Sequence, residues 1–165
     1  MKKTFAVLAA GLAMGLAGIV GSVSVEAQNR GRFVAPPPSP GEVAFKEECG
    51  ACHMAFPSYF LPVRSWVALM DGLSKHFKEN ASLDADTAKQ IEAYLVANAG
   101  DAPGQNSRYL RGLDRGSTPL RITDTPYWQR EHRRVTPESL ARRNLKSASN
   151  CQGCHEGAAQ GDFGS

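Results

Sequence analysis

Cys49-Gly50-Ala51-Cys52-His53 decides how this chain is read, and its pattern returns near the other end as Cys151-Gln152-Gly153-Cys154-His155. C-x-x-C-H is the attachment signature of c-type haem. The spacing has a mechanical reason. Two cysteines three apart each form a thioether to one of the two vinyl groups of a porphyrin, and the next histidine comes under the ring to donate a nitrogen to iron. Two copies therefore predict two covalently bound haem c groups, held at Cys49, Cys52, Cys151 and Cys154, with His53 and His155 as iron ligands.

Three other readings are weaker. Structural zinc sites bring two C-x-x-C pairs together at roughly 12 to 20 residues, whereas about a hundred residues separate these two. A thioredoxin-like redox pair needs a βαβ context, and Cys151 lies near the C-terminus with no strand pattern after it. Chance could produce one motif. Two motifs that use all four cysteines of the chain, each closed by a histidine, are poorly explained by it.

The chain has four histidines, so His76 and His132 remain once the motifs are served, one for each iron. Trp66, Leu69, Met70, Leu73, His76 and Phe77 recur at steps of three and four, which predicts a helix from about Arg64 to Phe77 with one apolar stripe. A lone histidine on such a stripe is more often a hydrogen-bonded core residue than a ligand. An iron that needs a sixth ligand reverses that preference, with Met70 as the rival donor. His132 sits in the charged run Arg130-Glu131-His132-Arg133-Arg134, where a surface role is the bland reading. Trp128, four residues before it, shares its helix face and suits an indole packed beside a ligating imidazole.

The N-terminus reads as an export signal: Lys2 and Lys3, then an uncharged run from Thr4 to Val25, then a small-residue cleavage site at Val25-Glu26-Ala27. The rival is an uncleaved anchor, since the run is long enough to span a membrane. Cleavage after Ala27 is the preferred reading, and it places the mature protein in the periplasm. Loss of residues 1–27 leaves 17 basic and 15 acidic side chains, a balance that points to neither nucleic acid nor an anionic membrane. The charge is uneven, at −4 over residues 42–105 and +4 over residues 106–165. Such asymmetry steers association. Charge reversal at Arg133 and Arg134 is therefore expected to slow electron transfer at low salt. The bland alternative is arginines that hold haem propionates.

The expected organisation is a signal peptide at 1–27, a proline-rich flexible leader at 28–41, an N-terminal haem lobe at 42–104 and a C-terminal haem lobe at 105–165. A short helix from Glu42 to Glu48 should deliver Cys49. Met54 is badly placed to cross its own haem, and the aromatic loop Phe56 to Pro62 should bury against a haem. Ser82 to Asn98 is the clearest helix, with Ile91, Tyr94 and Leu95 inward. Residues 105–123 should be irregular and wrap the haems. Thr125-Pro126 and Thr136-Pro137 should each open a helix, the second running to about Ala148 with Leu140 and Leu145 inward. Phe163 should close the tail over the second haem. The fold class is all-α, two small haem-cored lobes with short helices and long loops. Lobes this small have meagre side-chain cores, so the haem-free chain should fold poorly.

The chain resembles the small soluble dihaem cytochrome c family of bacterial periplasms. The resemblance rests on the two C-x-x-C-H motifs, Gly72-Leu73-Ser74-Lys75-His76-Phe77, Ile122-Thr123-Asp124-Thr125-Pro126-Tyr127-Trp128-Gln129-Arg130-Glu131-His132-Arg133 and Ser149-Asn150-Cys151-Gln152-Gly153-Cys154-His155. It implies two histidine ligands per iron, His53 and His76 for the first haem and His155 and His132 for the second. The N-terminal lobe also looks like a shortened monohaem cytochrome c, with His76 where that class generally uses methionine. Family members are thought to pass electrons from a membrane cytochrome b to periplasmic acceptors, including an oxygen-binding monohaem cytochrome. The expected function is thus a monomeric, low-potential electron carrier with no substrate of its own. The alternatives are a small dihaem peroxidase or reductase with one open iron, and a dihaem subunit of a periplasmic reductase complex.

Overall fold

Ser39 begins the ordered architecture. Its hydroxyl accepts from the Glu42 backbone N–H at 3.1 Å, and Pro40 occupies the first helical position, where a missing N–H costs nothing. The computed structural model describes residues 37–164, so the export signal and the leader up to Pro36 lie outside the described residues. Helix α1 spans Pro40–Gly50, α2 Val63–Asp71, α3 Ala85–Ala97, α4 Pro126–Glu131 and α5 Pro137–Arg142, with short 3-10 turns between them. Among the described residues there is no strand, only an isolated bridge between His76 and Glu79. No described helix is long and apolar enough to cross a membrane. The fold is all-α, as expected.

Helix α1 takes in Pro40 and Gly41 of the expected leader, because the Ser39 cap and Pro40 start it two residues before Glu42. Gly41 is where it meets α3. A Cβ there would run into the carbonyl oxygen of Gln90 and stand 3.0 Å from Cβ of Tyr94, so only glycine permits this approach. Ile91 and Leu95 of α3 are fully enclosed and pack with Phe45, Leu61 and Trp66. The Trp66 indole meets Phe45 edge-on at 6.5 Å and donates its N–H to the Ser58 carbonyl at 2.6 Å. That bond removes the cost of burying the indole nitrogen.

The helix expected from Arg64 to Phe77 ends at Asp71. Gly72 follows, a 3-10 turn occupies Leu73–Lys75, and Phe77 and Lys78 take positive φ values of 48° and 92°. His76 therefore does not share a continuous stripe with Leu69, and a turn rather than a helix face delivers it. Its carbonyl accepts from the Glu79 N–H at 2.9 Å. The helix expected from Thr136 to Ala148 is also shorter, stopping at Arg142, because Asn144 adopts left-handed geometry at φ 54°. Asparagine tolerates that conformation better than most residues.

Arg64 and Asp101 tie α2 to the segment that follows α3. The Asp101 carboxylate accepts from the Val63 N–H at 2.7 Å and from the Arg64 guanidinium at 3.2 Å. Arg64 also reaches the carbonyls of Asp114 and Ser117. Farther on, Thr125 caps α4: its hydroxyl accepts from the Trp128 N–H at 3.3 Å and donates to the Ile122 carbonyl at 2.8 Å.

Candidate functional site

Helix α1 and its C-terminal turn present the first motif, with Cys49 half-buried and Cys52 exposed. The second motif begins on a 3-10 turn, Cys151–Gly153, with Cys151 half-buried and Cys154 exposed. Gly153 packs closely on the end of the Leu145 side chain, which a Cβ would displace. Burial pushes the Cys49 thiol up to about 11, with nearby Glu48 adding to the effect. Burial likewise raises that of Cys151. Redox-active C-x-x-C thiols are shifted the other way, so the environment disfavours thiolate chemistry.

The structure brings the four histidines together in two pairs. His53 and His76 have ring centres 6.2 Å apart with planes inclined by 25°. His132 and His155 have ring centres 6.0 Å apart with planes inclined by 77°. His53 Nδ1 lies 2.8 Å from the Met54 carbonyl, and His132 Nδ1 lies 3.0 Å from the Trp128 carbonyl. A carbonyl at Nδ1 places the proton there and leaves Nε2 as a free lone pair, the usual arrangement behind a ligating imidazole. Nδ1 of His155 is buried without a hydrogen-bond partner. Burial, His53 and Arg121 in that order depress the His76 pKa, which favours its neutral ring. Met70, the rival donor, packs against the hydrophobic core cluster instead.

Aromatic rings surround both pairs. Phe56, in the proline-punctuated loop, stacks on His53 at 5.0 Å. The Trp128 indole stacks on His132 at 4.5 Å with planes only 6° apart. Around the second pair lies a cavity of about 330 Å³ lined by Phe60, Tyr109, Tyr127, Trp128 and Phe163, together with Cys151 and Cys154. Phe163 stands 5.9 Å from His155 and 4.9 Å from Phe60. The tail thus contacts the second pair and also reaches the N-terminal half. Phe60 and Tyr109, 4.5 Å apart, join the halves. Phe60 belongs to the aromatic loop expected to bury, but its contact with Tyr109 lies 49 positions away, where no local pattern reports it.

These residues fit the group that the motifs require: free paired thiols, imidazoles with a lone pair available, and an apolar aromatic lining for a flat hydrophobic ring. An all-helical chain with two such sites is a c-type cytochrome that binds two covalent haems. The family model for dihaem cytochrome c matches residues 45–163. Among solved structures, the chain is similar to the diheme cytochrome c from Rhodobacter sphaeroides, at 49% identity over 73% of this chain and 95% of that one, with a TM-score of 0.67. It is similar to DHC purified from Rhodobacter sphaeroides, at 45% identity over 73% and 96%, TM-score 0.61. It is also similar to the new diheme cytochrome type c from Shewanella baltica, at 31% identity over 76% and 89%, TM-score 0.61. No curated protein matches. The chain belongs to the dihaem cytochrome c family, and membership implies electron transfer.

Proposed function

We propose that this protein is a periplasmic electron carrier in which each iron is held between two imidazoles, His53 and His76 at the first haem and His155 and His132 at the second. The observation that carries the reading is the spacing of the rings. With metal–nitrogen bonds of about 2.0 Å and a ring nitrogen about 1.1 Å from its ring centre, two imidazoles on opposite sides of one metal have centres about 6.2 Å apart. The pairs here stand at 6.2 and 6.0 Å. A bound haem supplies a one-electron ferric–ferrous couple. The protein's part would be to hold each iron through both histidines of a pair, which would leave oxygen, peroxide or nitrite nowhere to bind, and to surround the site with aromatic side chains. Imidazole on both sides gives a lower potential than a thioether would.

The same reading includes export with cleavage after Ala27, lobes at 42–104 and 105–165, a monomeric state, and exchange between a membrane cytochrome b-type donor and periplasmic acceptors such as an oxygen-binding monohaem cytochrome. The partners rest on the family resemblance and on the uneven charge.

Electron paramagnetic resonance of the oxidised holoprotein tests the ligation. Two low-spin centres are expected. The pair with planes 25° apart should give a rhombic spectrum, and the pair near perpendicular, at 77°, a signal with a large principal g value. A high-spin centre, or rapid stoichiometric binding of carbon monoxide after reduction, would overturn the reading in favour of an open-site peroxidase or reductase.

A further inference from the structure

An open pocket of about 480 Å³ lies beside Cys154 and adjoins the aromatic cavity. Arg134, Arg142 and Arg143 line it, with Val135 and Leu140 as apolar wall. Among the described residues no carboxylate lines it, and the ion pairs are Lys46–Glu42, Arg64–Asp101 and Arg130–Glu131, so none of these three arginines is paired there. Three like charges around one hollow repel one another, and the arrangement gains only when an anionic group enters. Arg134 lines the pocket and its neighbour Arg133 does not.

We propose that this pocket is a docking face for an acidic surface of a redox partner protein. The inference rests on the reading that Cys154 carries the second haem. Porphyrin chemistry then separates two uses for the arginines. The vinyl-bearing pyrroles stand on one edge of the ring and the propionate-bearing pyrroles on the opposite edge. A pocket that shares Cys154 adjoins the thioether edge, so its cations are not those that neutralise this haem's own propionates. Val135, Leu140 and Cys154 line both hollows, which puts a partner seated on the arginines next to that edge. The volume and the apolar wall suit carboxylate side chains presented on a protein surface, whereas free phosphate would leave most of the hollow unfilled. The positive balance of residues 106–165, +4 against −4 for residues 42–105, orients such a partner toward this half.

The test uses the holoprotein with both haems attached. Isotope-labelled protein is titrated with hexacyanochromate(III), whose paramagnetism broadens nearby amide signals, and separately with short poly-L-glutamate. Broadening is expected around Arg134, Arg142 and Arg143. Poly-L-glutamate affinity should fall about tenfold or more in Arg134→Glu/Arg142→Glu/Arg143→Glu, and by less in the corresponding triple glutamine variant. The loss should shrink as the Debye length drops from about 30 Å in 0.01 M salt to about 8 Å in 0.15 M. Three outcomes overturn the proposal: affinity unchanged in both variants; capture by phosphatidylglycerol vesicles through the same arginines with no poly-L-glutamate binding; or a shifted haem reduction potential with binding intact, which assigns the arginines to propionates. Failure of the carrier reading is separately visible in the same sample, as fewer than two haems per chain or a high-spin iron.

Discussion

At the scale of single residues, His76 is the most informative position. A turn after α2 delivers it, its neighbours Phe77 and Lys78 are held at positive φ, and its ring faces His53 at 6.2 Å. On the proposed ligation, replacing His76 with methionine would exchange nitrogen for thioether on one side of one iron. His76→Met should raise one of the two potentials by on the order of 0.1 V, a fraction of the roughly 0.8 V that axial ligands span, and leave the other in place. Film voltammetry reads both couples at once. Movement of both together, or of neither, would detach His76 from the first haem. The cysteines, the motif histidines and the two further histidines were all legible in the sequence as candidates, since residue type alone narrows the donors to few. The route by which His76 arrives was not legible. The apolar spacing ran on through Gly72 as though the helix did, and nothing in Phe77-Lys78 advertises left-handed backbone, because neither is a glycine.

At the scale of elements, the Thr-Pro starts of α4 and α5 were readable, whereas α3 begins at Ala85 rather than Ser82 and the ends of α2 and α5 fall short. Caps are local: Thr125 before Pro126 and Thr136 before Pro137 each bond an amide two or three residues on. At α3, Asp84 does the same, accepting from the N–H groups of Asp86 and Thr87 at 3.1 and 3.0 Å. Those bonds hold its carboxyl below the ordinary carboxylate range. The folded state thus prefers the ionised form more than the unfolded state does, so the cap's contribution is complete above the ordinary carboxylate value and fades as pH falls through the lowered one. Asp84→Ala should therefore be less stable than the parent at neutral pH, with a gap that closes in acid; denaturant titrations across pH would detect a gap that fails to close. Helix contacts give a second expectation. Gly41 lets α1 rest on the Gln90 backbone of α3, and a methyl group has no flexible neighbour to displace. Gly41→Ala should cost about 1–3 kcal/mol by overpacking, read as a lower midpoint in guanidinium. A neutral result would mean that the helices can separate freely.

At the scale of the whole molecule, burial is lopsided. Of the buried apolar side chains, Phe45, Phe60, Leu61, Trp66, Ile91, Leu95, Ala99 and Ala102 all come from residues 37–104, and Ala158 alone from beyond. The first half therefore has a side-chain core of its own. The second half has an aromatic cavity where a core would be, and an apolar cofactor must complete it. Cys151→Ala/Cys154→Ala should leave α1, α2 and α3 protected in hydrogen exchange while amides of α4 and α5 exchange much faster. Equal protection in both halves would contradict this. The sequence suggested poor folding of the haem-free chain throughout, but not this inequality, because burial depends on which distant faces meet.

The Phe163 ring that adjoins His155 has a consequence for electron exchange on the proposed ligation. Hydrocarbon covers part of that half-buried imidazole, so fewer mobile dipoles would have to turn if the neighbouring charge changed by one unit. Small nuclear rearrangement permits rapid exchange under a slight driving force.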